Sequence, residues 1–256
     1  MKALITGASS GIGWEIAKIL SAKGYECVLA ARRTDKLSEL SQQLQGKSCV
    51  EECDLARPDS ARDIFEKHSD AEFIVNCAGV GVFGDFSETE LEREREMLEV
   101  NVISLHILTK LYLEAFLKKD RGIILNVASS AAFFSGPYFS SYYATKAYVL
   151  HLTEAVSYEC RKTGVRVCTF CPGPVKTEFG KTDAISDGRG AISAEFAARK
   201  AVLGALQGKR IIYPNFSTRA LVFFSRFLPR TLLLKIVANQ QLKKAQKPCQ
   251  KKENIV

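Results

Sequence analysis

The chain has 256 residues, 46% of them hydrophobic and 25% charged, which places it among globular proteins large enough for a self-sufficient core and excludes a disordered or disulfide-stapled miniature. Its net charge of +8 is uneven: residues 209–256 hold 11 Lys or Arg against a single acid, Glu253, which leaves 25 basic and 27 acidic residues in 1–208. A near-neutral body with a basic end excludes a duplex-binding surface spread over the fold, and no nucleic-acid partner is expected.

Short apolar, β-branched runs alternate along the chain with amphipathic stretches of helical length. Strands are predicted near Lys2–Thr6, Glu26–Ala31, Ser48–Cys53, Phe73–Asn76, Gly122–Asn126, Val165–Phe170 and Arg210–Tyr213. The helices between them fall near Gly11–Lys23, Asp35–Gln45, Pro58–Lys67, Glu88–Lys118, Tyr142–Thr163 and Ala194–Leu206. Right-handed crossovers turn this alternation into an α/β fold, a doubly wound and mostly parallel seven-stranded sheet with helices on both faces. Residues 1–208 form its body. Residues 209–256 add the last strand and a basic, amphipathic extension of the same domain. Ligands of such sheets bind beyond the carboxyl ends of the strands, so motifs at those ends carry the functional reading.

Strand one ends in Thr6-Gly7-Ala8-Ser9-Ser10-Gly11-Ile12-Gly13 and runs straight into a helix. Glycines there admit a pyrophosphate close to the backbone, and a helix N-terminus offers free N–H groups and a favourable dipole. The end of strand two reads Ala30-Ala31-Arg32-Arg33. A carboxylate there would accept from an NAD ribose hydroxyl. Two arginines favour a 2′-phosphate, so NADP(H) is expected over NAD(H).

Tyr142 and Lys146 stand at i and i+4 in a helical segment and share a face, where a cation beside a phenol eases its ionisation. Ser129 lies 13 residues earlier, at the end of strand five. With the T-G-x-x-x-G-x-G spacing and Asn76-Cys77-Ala78-Gly79 after strand four, these residues resemble the short-chain dehydrogenase/reductase family, over nearly the whole chain and with the Rossmann fold. Cys77 stands where the family has a second Asn.

The resemblance implies an Asn101, Ser129, Tyr142, Lys146 tetrad: Ser129 positions the substrate oxygen, Tyr142 is the acid/base, Lys146 lowers its pKa and holds the nicotinamide ribose, and Asn101 positions a water. It also implies that Gly7, Ser9, Ser10, Gly11, Ile12 and Gly13 meet the pyrophosphate, and that Asp54 and Leu55 lie near the adenine. Asn76, Ala78 and Gly79 would sit under the adenosine. Pro172, Gly173, Val175 and Thr177 would meet the nicotinamide. The activity implied is interconversion of a carbonyl and an alcohol, in a homodimer or homotetramer. The rival is a non-catalytic NADP(H)-binding or redox-sensing protein on the same fold.

Phe133, Phe134, Tyr138, Phe139 and Phe179 occupy the loops expected to wall the pocket, beside Ser129, and point to an apolar substrate. The extension alternates Leu and Phe with Arg, and no uncharged run is long enough to span a bilayer. It suits docking on the body, a subunit interface or peripheral membrane contact. Met1 leads directly into a strand, so the expected compartment is the cytoplasm with reduced thiols. No metal is expected. Cys168 and Cys171 point to opposite faces of one strand, and His68, His106 and His151 lack ligand spacing.

Overall fold

Alternate residues of each strand are buried on opposite faces of one sheet. In the computed structural model, which describes residues 1–180 and 190–245, β1 (Lys2–Thr6) sends Ala3 and Ile5 to one side and Leu4 to the other. The pattern repeats in β2 (Glu26–Ala31), where Cys27 and Leu29 oppose Val28 and Ala30, and in β4 (Phe73–Asn76), where Phe73 and Val75 oppose Ile74. Strands buried on both faces are the mark of a parallel sheet sandwiched between helices.

The other sheet strands are β3 (Ser48–Glu52), β5 (Gly122–Val127), β6 (Val165–Phe170) and β9 (Ile211–Ile212), and β7 (Val175–Lys176) pairs separately with β8 (Ile192–Ser193). The order is β3-β2-β1-β4-β5-β6-β9, with every adjacent pair parallel, as the doubly wound reading expects. Helices α1 (Gly11–Ala22), α2 (Thr34–Gln43) and α7 (Ala194–Leu206) cover the face that carries Ile5 and Leu29. Helices α3 (Ser60–Lys67) and α5 (Leu105–Lys119) cover the other, with Tyr112 and Phe116 fully buried. Burying each such ring contributes about 1.5–3 kcal/mol.

Winding reverses between β1 and β4. Register places Ala30, Thr6, Asn76, Asn126 and Thr169 in one row across β2, β1, β4, β5 and β6, so the carboxyl ends of these strands form a common rim. Beneath it the Asn76 amide donates to Asn126 Oδ1 at 2.8 Å, and the Asn126 amide donates to Thr153 at 3.0 Å.

The single helix expected over Glu88–Lys118 is interrupted. It runs as α4 (Leu91–Leu98), a π-helical segment Glu99–Ser104, and then α5. By length and composition Leu91–Lys119 could cross a membrane, but Leu105, Leu108, Tyr112 and Phe116 are buried against the protein. Helix α6 (Ser140–Glu159) starts before its expected position, and two further helices, α8 (Phe216–Ser225) and α9 (Arg230–Ala245), follow β9. The lysines beyond Ala245 lie outside the described residues.

Candidate active site

A cleft of about 780 Å³ opens above the rim. Its floor begins at the glycine-rich turn. Gly7 has φ +69°, and a Cβ there would come within 2.8 Å of the Ala78 backbone. A Cβ on Gly11 would come within 2.9 Å of Thr177 Cγ2, and one on Gly13 would meet the Gly7 carbonyl oxygen. The turn is therefore packed against both the segment after β4 and the one after β6. The N-cap Ser10 makes no side-chain bond to α1, and Ser10, Gly11 and Ile12 at that helix end line the cleft wall.

Thr6 fixes the neighbouring turn. Its hydroxyl donates to Val75 O and accepts from the backbone N–H groups of Cys77 (3.1 Å) and Ala78 (3.2 Å). Asp54 and Leu55 line the cleft beyond the end of β3, and Asp54 Oδ1 accepts from Ala56 N at 3.2 Å.

Arg32 and Arg33 project into the cleft from the end of β2, each with a carboxylate partner. Arg32 pairs with Glu96 at 2.9 Å and Arg33 with Glu178 at 2.9 Å, and Arg33 also donates to Ser9. Exposed pairs of this kind are worth at most about 1 kcal/mol, so a phosphate dianion could displace either carboxylate.

Ser129, Tyr142 and Lys146 meet on the opposite wall. The Tyr142 phenol lies near enough to the Ser129 hydroxyl to feel it, and that hydroxyl accepts from Ala131 N at 3.1 Å. Lys146 Nζ lies 5.7 Å from the centre of the Tyr142 ring and donates to Val127 O at 3.0 Å. Burial pushes the Lys146 pKa down to about 8. It also pushes the Tyr142 phenol well above 10, with the Ser129 hydroxyl acting the other way. In this state desolvation of the phenol outweighs the lowering expected from the lysine, whose ammonium donates to the Val127 carbonyl.

Asn101, fully buried in the π-helical segment, lies behind the cleft instead of lining it. Its Oδ1 accepts from Val80 N and its Nδ2 donates to Val80 O, both at 2.9 Å, with a further bond to Thr145 at 3.1 Å. The amide therefore clamps the strand-four loop. The extra residue of the π turn is what carries it inward.

Of the expected cofactor residues, Gly7, Ser9, Ser10, Gly11, Ile12, Arg32, Arg33, Asp54, Leu55, Ala78, Gly79, Pro172, Gly173, Val175 and Thr177 all line the cleft with Tyr142 and Lys146. Gly13 and Asn76 stand one layer behind. The expected substrate wall holds less well. Ser129 and Phe179 are in it, the Phe179 ring 5.5 Å from that of Tyr142. Phe133 instead packs with Tyr213 and Phe134 with Tyr143, each at 6.0 Å, while Tyr138 at φ +64° gives its carbonyl to Gly84 N. Local packing of a short loop decides those directions.

Phe139, expected in the same wall, is there, stacked on Tyr142 at 4.3 Å and 12°. Two residues that the sequence reading left out of the site join it: Tyr143, and Gln241, which reaches in from α9 to donate to the Tyr143 hydroxyl at 2.7 Å. Adjacency to Tyr142 in sequence was the available signal for Tyr143. Gln241, 98 residues further along, had none.

Cys168 and Cys171 belong to different core clusters, and burial pushes both thiols up to about 12. Among the described residues, donor atoms of Cys49, Glu51 and His68 gather away from the cleft. Glu51 there is already shared by His68 (3.0 Å) and Lys67 (3.4 Å).

The family model for short chain dehydrogenase matches residues 1–186. The chain belongs to the short-chain dehydrogenase/reductase family. As a family member it is an oxidoreductase of the NAD(P)-dependent kind that acts on CH–OH groups. It is 32% identical over 180 residues to a 7beta-hydroxysteroid dehydrogenase of Mediterraneibacter gnavus, with 68% of each chain covered. A solved 7beta-hydroxysteroid dehydrogenase superposes with TM-score 0.84 at 25% identity, over 92% of this chain and 96% of that one. A putative NAD(P)-dependent gluconate 5-dehydrogenase from Beutenbergia cavernae, solved with bound NADP, superposes with TM-score 0.78 at 26% identity, over 86% and 96%.

Proposed function

We propose that this short-chain dehydrogenase/reductase uses NADP(H) to interconvert a carbonyl and an alcohol on an apolar small molecule. The observation that carries the reading is the meeting of Tyr142, Ser129 and Lys146 on one wall of a cleft whose other half is a helix end without a side-chain cap beside two arginines. The glycine turn fits a pyrophosphate, since a Cβ at Gly7 or Gly11 would fill the cradle. When bound, the nicotinamide supplies or accepts the hydride.

The chain's own groups do the rest. Ser129 holds the substrate oxygen. Tyr142, kept protonated by burial, donates its proton to that oxygen during reduction and recovers one during oxidation. Lys146, with a pKa near 8, can pass between charged and neutral forms at physiological pH while its ammonium form binds the ribose hydroxyls. Asn101 acts as a positioning residue through Val80. Arg32 and Arg33 hold the 2′-phosphate, and the NADP bound by the gluconate 5-dehydrogenase relative supports that choice. Phe139 and Phe179, flanking Tyr142, suit an apolar substrate, as the hydroxysteroid dehydrogenase relatives do. The seven described cysteines are all free, which supports a reducing, cytoplasmic setting. Leu98, Ile103 and Tyr148, exposed along α4 to α6, offer a face for a homodimer or homotetramer.

The test is a fluorescence titration of NADPH and NADH, repeated with Arg32→Ala, beside a turnover screen of apolar ketones and aldehydes. NADPH should bind more tightly, and the substitution should weaken it about tenfold, or ~1.4 kcal/mol, without affecting NADH. Equal affinities for the two would remove NADP(H). Tight binding with no turnover would favour the non-catalytic alternative.

A further inference from the structure

Half of the large hydrophobic side chains exposed among the described residues, nine of eighteen, lie between Phe216 and Ile236. The two helices there touch the body along narrow strips. Helix α8 buries Thr218, Val222 and Ser225, and α9 buries Val237 and Gln241. Outward they present Phe216 (82% exposed), Phe224 (64%) and Phe227 (72%), with Phe223 at 5.5 and 5.3 Å from the last two. Arg219, Arg226, Arg230 and Lys235 stand exposed among these rings, and no acid occurs between Glu195 and Glu253. An apolar patch this continuous calls for an occupant.

We propose that the outer face of α8 and α9 docks on an anionic lipid bilayer, its aromatic rings at the acyl boundary and its arginines among the phosphates. Charge decides between the candidate occupants. A two-fold contact with a second copy would bring the basic side chains of two such faces together with no carboxylate in the segment to pair them. Ten residues in α8, and sixteen in α9 with Lys235 among them, are too few to span a bilayer, so the pair lies in the interfacial plane. The helix that meets the lipid outward carries Gln241 inward to the cleft, which places the cleft beside the membrane surface.

The test is co-sedimentation of the full chain with vesicles of equal phosphatidylglycerol and phosphatidylcholine, against vesicles of phosphatidylcholine alone, at about 0.1 M salt. Binding should be at least tenfold stronger on the anionic vesicles and should fall as salt rises. The triple variant Phe223→Ser, Phe224→Ser, Phe227→Ser should lose it with an unchanged thermal melt. Arg226→Glu with Arg230→Glu, on fully exposed positions, should lose the anionic preference and serves if the triple variant fails to fold. Wild-type protein left in the supernatant, or variants that bind as well as wild type, overturn the proposal. A wild-type dimer that the serine variant splits, with no lipid binding in either, assigns the face to a second copy. Sedimentation reads neither cofactor nor turnover, so this proposal and the oxidoreductase reading fail separately.

Discussion

The two halves of the cleft are built by different means. The cofactor half is made of backbone: the turn Thr6–Gly13, the segment Cys77–Gly79 braced on Thr6, and the run from Pro172 to Thr177, each at the end of a strand whose register the sheet fixes. The substrate half is made of side chains from distant elements, with Phe139 on Tyr142, Phe179 across from it, and Gln241 tied to Tyr143 from the last helix. Backbone cradles need small residues in fixed order and leave a readable pattern. Side-chain walls can be assembled from any element that reaches them.

The strongest way to separate the halves is Tyr142→Phe. Turnover at saturating NADPH should fall by about 10³-fold or more, since the proton donor is lost, while NADPH affinity measured by fluorescence stays within about twofold. Retained turnover would remove Tyr142 from the chemistry.

Gly13→Ala should act on the other half. Its methyl group would meet the Gly7 carbonyl oxygen, forcing α1 away from the turn. NADPH binding should be lost and stability reduced by about 1–3 kcal/mol, read by titration and denaturant unfolding. Normal binding in this variant would show that the cradle is not held by that contact.

The boundary between the halves runs through Lys146, whose folded pKa of about 8 lies below its unfolded value near 10.5. The unfolded chain binds more protons between those values, so this residue's contribution to stability rises with pH from about 8 to 10.5 and is least favourable below that window. Buried cysteines and tyrosines titrate in the same region with the opposite sign, as their folded pKa values are raised. The measurement is therefore the wild-type minus Lys146→Met difference in unfolding free energy, which should grow in favour of wild type by up to about 3 kcal/mol across that window. A flat difference would mean that Lys146 is not desolvated.

The smallest effect is expected from Gln241→Leu. Loss of the 2.7 Å bond to Tyr143 should raise KM for the carbonyl substrate several-fold, about 0.5–1.5 kcal/mol, with NADPH affinity unchanged. A change in NADPH affinity alone would assign α9 to the cofactor half.

The sequence by itself determined the sheet and the motif-bearing strand ends, because a strand buried on both faces must be an apolar run and each glycine of the turn answers a contact no larger residue allows. The i, i+4 spacing likewise required Tyr142 and Lys146 to share a helical face. Tertiary structure decided what spacing cannot express. The π turn carried Asn101 onto Val80, and loop packing turned Phe133 and Phe134 out of the cleft while α9 brought Gln241 into it. Burial then outweighed the lowering of Tyr142 expected from Lys146. Contacts between residues far apart in the chain, and the desolvation they impose, are properties of the packed whole and leave no local pattern to read.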